Sequence, residues 1–366
     1  MVVCILDKPQ TTNNKQPTTN NQQPITNNME LPIKPGIILT GTGSAVPSTY
    51  LDNHQLSQVV VTSDEWIKTR TGICRRHLLE PRNSLTAIAT QAAQNAIAMA
   101  GLAPNQLDLI ILATSTPDDL FGSASLIQAQ LGATQAVAFD LTAACSGFVF
   151  GLVTAAQFVR TGAYQNILLI GADALGRWVD WTDRGSCVLF GDGAGAVVLQ
   201  ASTHDHLLGF QLHTDGTQNH YLNMSYQAQA RTSIDSLSIE QGAYQPITMN
   251  GREIYRFAVQ RVPEAIEKAL FRADLTIEQV DWLLIHQANQ RILEAVAERL
   301  GIPVKKIISN IAKYGNTSAA SVPLALDEAT RQGQIQPGDI VALAGFGAGL
   351  SWGAAIIQWK LLGKGE

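Results

Sequence analysis

The chain repeats itself over a long period, and few folds accommodate that. Gln106-Leu-Asp-Leu-Ile-Ile-Leu-Ala-Thr114 returns as Gln279-Val-Asp-Trp-Leu-Leu-Ile-His-Gln287, and Arg160-Thr-Gly-Ala-Tyr-Gln-Asn-Ile-Leu-Leu-Ile170 returns as Arg331-Gln-Gly-Gln-Ile-Gln-Pro-Gly-Asp-Ile-Val341. A period of this length marks a duplicated domain rather than a stack of short units. In the first copy, Asp108–Thr114 reads as an apolar strand and Val137–Leu141 and Ile167–Gly171 as further strands, whereas Ser84–Gly101 and Ser123–Leu131 carry helical spacing. Strands of that kind alternating with helices predict an α/β fold with a parallel sheet covered on both faces. Gly185–Leu199 reads as two strands turning at Gly191-Asp192-Gly193. The glycine loop after the strand at Gly36 lacks both a GxGxxG fingerprint and a Walker lysine, which argues against a phosphate cradle.

Three regions follow: a tail at 1–35, a first half at 36–205 and a second half at 206–366. The tail is Asn, Gln, Thr and Pro without apolar periodicity and is expected to be disordered. It holds no Arg or Ser and no secretory apolar core, so neither organelle import nor secretion is expected, and Met29 is an alternative start. The net charge of −5 disfavours nucleic acid as a partner. Cys4, Cys74, Cys145 and Cys187 form no zinc or CxxC spacing, which predicts reduced thiols in a cytoplasm. No apolar run is long enough to insert in a membrane.

Within Phe139-Asp-Leu-Thr-Ala-Ala-Cys-Ser-Gly-Phe148 a strand runs through small residues into a helix expected at Ser146–Arg160. A helix N-terminus beside Cys145 would lower the thiol pKa and make a nucleophile, although a buried cysteine can equally be plain core. The duplication sets Asn316 at the place in the second half that Cys145 holds in the first. His286 ends the strand that matches Asp108–Ala113. Ligands bind beyond the carboxyl ends of parallel strands, so Cys145, His286 and Asn316 are expected in one crevice. Taken singly, His286 is more simply read as a hydrogen-bonded structural histidine and Asn316 as a turn or cap residue; their joint placement with Cys145 favours a catalytic set. Cys…His…Asn is also the order of papain-like proteases, but the local cysteine signature of those enzymes is missing. Trp66 and Arg70 share one face of a capped helix within Thr62–Gly72, where an aromatic and a guanidinium can hold a flat heterocycle and its phosphates.

Several motifs now converge: Thr62 to Gly72, Ala143-Ala-Cys-Ser-Gly147, Thr182-Asp-Arg-Gly185, Gly191-Asp-Gly-Ala-Gly195, His286-Gln-Ala-Asn-Gln-Arg291, Gly315-Asn-Thr-Ser-Ala-Ala-Ser-Val-Pro323 and Gly345 to Gly353. In these the sequence, from about residue 36 to its end, resembles the thiolase superfamily and most closely the β-ketoacyl-acyl-carrier-protein synthase III family. The resemblance implies two duplicated βαβαβαββ halves in a five-layered αβαβα structure. It implies that an acyl-CoA, usually acetyl-CoA, acylates Cys145, after which malonyl-acyl-carrier protein loses CO₂ and condenses with the thioester. This is the initiating step of type II fatty acid synthesis.

By the same resemblance, the N–H groups of Cys145 and Ala348 form the oxyanion hole, while His286 and Asn316 serve the enolate. Trp66 and Arg184 sandwich the adenine of CoA, with Arg70 near its phosphates. Gln287, Arg291 and Arg256 meet the carrier protein, and Phe121, reaching into the neighbouring subunit, and Phe346 shape the acyl pocket. No metal or bound cofactor is implied, and a cytoplasmic homodimer is expected. Two departures stand out: Glu298 where a lysine can occur, and a poor match over residues 213–249. A specialised acyltransferase or polyketide starter enzyme with another acyl group is the alternative, and a non-enzymatic acyl-binding module is disfavoured because it would need no nucleophile.

Overall fold

The computed structural model describes residues 35–234 and 237–360. The expected tail, apart from Pro35, lies outside them, as does Met29.

The first half opens with β1 (Gly36–Ala45), then β2 (Tyr50–Asp52), α1 (Asn53–Leu56), α2 (Asp64–Thr71) and β3 (Arg75–His77). It continues through α3 (Leu85–Ala100), β4 (Leu109–Ala113), α4 (Ala124–Leu131), β5 (Val137–Leu141), α5 (Gly147–Arg160), β6 (Asn166–Ala174) and β7 (Asp192–Ser202). The second half has β8 (Leu207–Thr214), then β9 (Leu222–Asn223), the antiparallel pair β10 (Tyr226–Ile234) and β11 (Leu237–Tyr244), and β12 (Thr248–Met249). After these come α6 (Gly251–Arg272), β13 (Trp282–Ile285), α7 (Gln290–Leu300), α8 (Ile311–Tyr314), α9 (Ser321–Arg331), β14 (Ile340–Gly347) and β15 (Ser351–Gln358).

Local chemistry sets the helix ends. The Ser84 hydroxyl accepts the Ala87 N–H at 3.1 Å to start α3, and Gly101, at φ 68°, ends it in the left-handed conformation. Ser63 does the same for α2, accepting from Trp66 N–H, with Gly72 as its C-cap.

The two halves build the same sheet. One runs β1-β7-β6-β4-β5; the other runs β8-β15-β14-β13, with a single bridge from Leu283 to Ile307 where a partner to β5 would lie. The sheets are mixed rather than all parallel. β4 runs parallel to β5 and β6, with Leu109 opposite Val137 and Ile167, but β7 is antiparallel to both β6 and β1, and β15 likewise to β14 and β8. No crossover helix joins β6 to β7, so the chain returns reversed.

Between the sheets lie α5 and α9, whose Phe148, Val149, Leu152, Val322 and Leu326 are buried against both. Burying each large side chain of this kind contributes about 1.5–3 kcal/mol. Helices α3 and α4 cover the outer face of the first sheet, and α6 and α7 that of the second. The result is the five-layered αβαβα arrangement of the thiolase fold.

The expected turn at Gly191-Asp192-Gly193 is absent, and no strand precedes it. A Cβ on Gly191 would lie 2.3 Å from the Tyr314 carbonyl, and Gly191 N–H donates to Asn316 O at 3.0 Å. The glycine serves close approach to the 314–316 loop, while the buried Asp192 accepts from Leu79 and Gly176 N–H, both at 2.8 Å.

Candidate active site

Beyond β5 the backbone makes one 3-10 turn, Ala144–Ser146, before α5 begins; Ala144 has φ 47°. Beyond Ile307 the second half does the same at Ser318–Ala320 before α9, and Ser318 has φ 51°. Matching these turns pairs Cys145 with Ala319 and Thr142 with Asn316. The duplication therefore does not put Asn316 at the counterpart of Cys145, as expected, but three residues earlier in the pattern. Spacing estimated from flanking strands misses this because the connections differ in length.

Asp173, near the end of β6, ties the loop after β4 to the second of these turns. Its buried carboxylate accepts from Thr114 Oγ1 (3.1 Å), Ser115 N–H (2.8 Å), Thr116 Oγ1 (3.0 Å) and Ala319 N–H (3.2 Å). Burial pushes its pKa up. No sequence motif marked this residue, since its partners come from two separate segments, one of them in the other half of the chain.

Cys145, His286 and Asn316 do come together, lining one cavity of about 430 Å³. Ser318 Oγ donates to Cys145 Sγ at 3.3 Å, and Ser318 N–H donates to Asn316 Oδ1 at 2.9 Å, which leaves the Asn316 Nδ2 end free to point elsewhere. His286 directly follows β13, its N–H bonded to Ala344 O at 2.8 Å; its ring lies edge-on to Phe346 with centroids 5.1 Å apart. Its Nδ1 is 2.7 Å from Ser321 Oγ. A Cβ on Gly347 would lie 2.9 Å from both N and Cβ of Cys145 and 3.2 Å from its Sγ, so only glycine lets β14 run this close to the thiol. Ala348 follows, and its φ is not positive, so alanine is unstrained there.

Burial governs the protons. It pushes the Cys145 thiol from 9.0 up to about 12, against the smaller opposing effect of the Ser318 hydrogen bond. The helix end was expected to lower this pKa, but a helix dipole supplies up to about 2 kcal/mol, less than the roughly 4 kcal/mol that three pKa units represent. Burial also lowers His286 from 6.5 to about 3, so the imidazole is neutral near pH 7.

Arg70, Arg252 and Arg291 line the cavity wall, whereas Arg184, which lies over the Trp66 ring at 4.8 Å, and Trp66 itself are not part of that lining. Arg291 stacks on Tyr255 at 5.8 Å. Arg256 is exposed, pairs with Glu253 at 2.8 Å and borders a surface groove with Arg252, Tyr255 and Arg299. Arg252 and Arg299 escaped the sequence reading, although Arg252 and Arg256, four apart on α6, form a legible i, i+4 pair. Gln287 is corrected: it is fully buried, its Nε2 donating to Ile285 O (2.8 Å) and Ile308 O (3.3 Å) and its Oε1 accepting Asn310 N–H (3.2 Å). It has no surface to offer a carrier and instead braces the loop after β13. Phe121 and Phe346 do not share a cavity. Phe346 is buried against His286, whereas Phe121 is fully exposed at the edge of a second cavity of about 950 Å³. Among the described residues, no group of three or more His, Cys, Asp or Glu side chains is placed to hold a metal ion, and no helix is long and apolar enough to cross a membrane.

A thiol, a neutral imidazole and a primary amide around one cavity suit acyl transfer. Set between two copies of one βαβαβαββ pattern, they define a thiolase-fold acyltransferase. The family description 3-oxoacyl-[acyl-carrier-protein] synthase III matches residues 139–216, and its C-terminal counterpart matches residues 270–359. The β-ketoacyl-[acyl-carrier-protein] synthase III of a Nostoc species is 68% identical over 324 residues, covering 88% of this chain and 98% of that protein. That of Acaryochloris marina is 66% identical over 325 residues, covering 89% and 98%. The crystal structure of the synthase III from Aquifex aeolicus superposes with a TM-score of 0.81 at 43% identity, covering 88% of this chain and all of that one. The chain belongs to the β-ketoacyl-[acyl-carrier-protein] synthase III family.

Proposed function

We propose that the chain transfers an acyl group, most simply acetyl, from CoA to Cys145 and condenses it with malonyl-acyl-carrier protein, starting type II fatty acid synthesis. The observation that carries this reading is the meeting of Cys145, His286 and Asn316 on one cavity in a chain of this family. In the first half-reaction, the Cys145 sulfur attacks the thioester carbonyl. The C–S bond to CoA breaks, and the proton lost by Cys145 ends on the CoA sulfur. Because the resting thiol is held protonated, attack and proton loss go together. The N–H groups of Cys145 and Ala348 receive the tetrahedral oxyanion, for which the glycine contact at 347 supports the placement.

In the second half-reaction, the malonyl C–C bond breaks and CO₂ leaves. The electron pair becomes an enolate whose oxygen accepts from His286 Nε2–H and Asn316 Nδ2–H. The Ser321 hydroxyl at Nδ1 supports the tautomer with its proton on Nε2. The enolate carbon then forms the new C–C bond, and Cys145 leaves as thiolate, which takes up a proton from water to restore the resting thiol. Trp66 and Arg184 hold the CoA adenine; since they now stack on each other, the ring enters by separating them. Arg70 binds its phosphates, and Arg291 with Arg256 meets the acidic carrier. A homodimer in the cytoplasm, with no bound cofactor and with the two halves joining near residues 205 and 206, completes the reading.

Intact-mass measurement after incubation with acetyl-CoA tests it, with Cys145→Ser as control. Acetylation confined to Cys145 and discharged by malonyl-acyl-carrier protein is expected. Labelling only by longer acyl groups moves the chain to a specialised relative, and no labelling removes Cys145 as the nucleophile.

A further inference from the structure

The second cavity begins at Ala143, Ala144 and Ala348, which flank Cys145 and Gly347, and Leu222 lines both cavities. The two differ in chemistry. The first carries Arg70, Arg252 and Arg291, whereas the lining of the second includes no Lys or Arg. Its one charged lining residue, Asp140, is committed to the start of α4, where its carboxylate accepts from Ser123 N–H at 2.9 Å and Ala124 N–H at 2.7 Å. Such a cavity has nothing to hold a phosphate and suits an uncharged chain.

Its lining includes two aromatic residues from distant segments. Trp178 follows the 3-10 turn after β6, and Tyr244 ends β11. Their rings meet edge-to-face at 90° with centroids 6.3 Å apart, and Tyr226 supports Tyr244 from the neighbouring strand at 5.6 Å. Main-chain and side-chain bonds hold the arrangement: Ile247 N–H donates to Trp178 O at 2.9 Å, and Gly242 N–H donates to Tyr226 Oη at 2.7 Å. A perpendicular aromatic pair is stiff, because each side chain has few rotamers and loses contact if it swings away.

We propose that Trp178 and Tyr244 form the end wall of the acyl chamber and set the longest acyl group that Cys145 accepts. This rests on the condensing reading above. The chain of the acyl group runs from Sγ past Leu222 and the Ala348 backbone, and further methylenes meet the ring pair.

The test uses the full chain and its Tyr244→Ala, Trp178→Ala and Trp178→Phe variants. Each is given an equimolar mixture of acetyl-, hexanoyl- and decanoyl-CoA, and the acyl distribution on Cys145 is read by intact mass. The decanoyl-to-acetyl ratio is expected to rise about 10-fold or more in both alanine variants, the scale on which fixed apolar walls discriminate chain length, and less in Trp178→Phe. Tyr244 is 47% exposed, so its truncation spares the core, and the acetyl peak reports a working site in the same spectrum. Distributions matching the wild type, or shifted toward acetyl, overturn the wall while leaving the condensing reading intact. A wild-type chain that takes no acyl group from any CoA overturns both.

Discussion

Ser321 Oγ sits 2.7 Å from His286 Nδ1 and also accepts the Gln287 N–H at 3.3 Å. A Ser321 hydroxyl that donates to Nδ1 leaves the imidazole proton on Nε2, the tautomer that the proposed enolate contact requires. Ser321→Ala should therefore slow decarboxylative condensation about 10-fold or more, since an unpaired buried nitrogen costs about 1–3 kcal/mol. Acetylation of Cys145 should be little changed. Single-turnover assays of the two half-reactions check this, and equal loss in both would place Ser321 in general packing instead.

His286 should also govern acid sensitivity. Its folded pKa is depressed from 6.5 to about 3, so it contributes stability that is present above pH 6.5 and lost as pH falls toward 3. The full effect is on the order of 4 kcal/mol. Urea unfolding of wild type and His286→Gln between pH 7 and 4 should show a gap that changes steadily through that window, because only in the wild type does the unfolded chain take up a proton here that the folded, neutral imidazole does not. A constant gap would rule out the imidazole as the cause.

Gly347→Ala should stop acylation. Its methyl group would sit 2.9 Å from Cys145 N and Cβ, and forcing such a contact apart costs about 1–3 kcal/mol. We expect a folded protein with no acetyl-Cys145 by mass spectrometry; normal labelling would show that β14 retreats freely.

Removing either stacked partner, as in Trp66→Ala or Arg184→Ala, should raise KM for acetyl-CoA by about 5-fold or more, since a cation–π or ring-stacking contact contributes about 1 kcal/mol or more. The KM for malonyl-acyl-carrier protein should move less. Parallel changes in both would mean that the pair supports α2 rather than a substrate.

Much of the fold was legible because it obeys local rules. Leu109–Ala113 had to be apolar at every position to lie between two helical layers, and Ser84 and Gly101 announce the ends of α3. Cys145, His286 and Asn316 were visible because each stands where a strand or loop meets a helix in a repeated pattern. Arg252 was missed though its spacing was readable, and the supposed hairpin at Gly191 failed because the glycines answer a loop more than a hundred residues away.

What the sequence determined by itself was the duplicated frame, its apolar strands, its caps and the motifs that mark the family. These follow from short-range periodicity and from turn chemistry within a few residues. Tertiary structure alone decided that Asp173 ties the loop after β4 to the turn before α9, that Gln287 is buried, that Ser321 meets His286, and that Trp178 meets Tyr244. It also decided the protons: the thiol is held high and the imidazole low because layers distant in the chain exclude water from both. The Ser318–Cys145 hydrogen bond spans 173 positions, and no local pattern encodes a contact whose partners meet only when two sheets close on the helices between them.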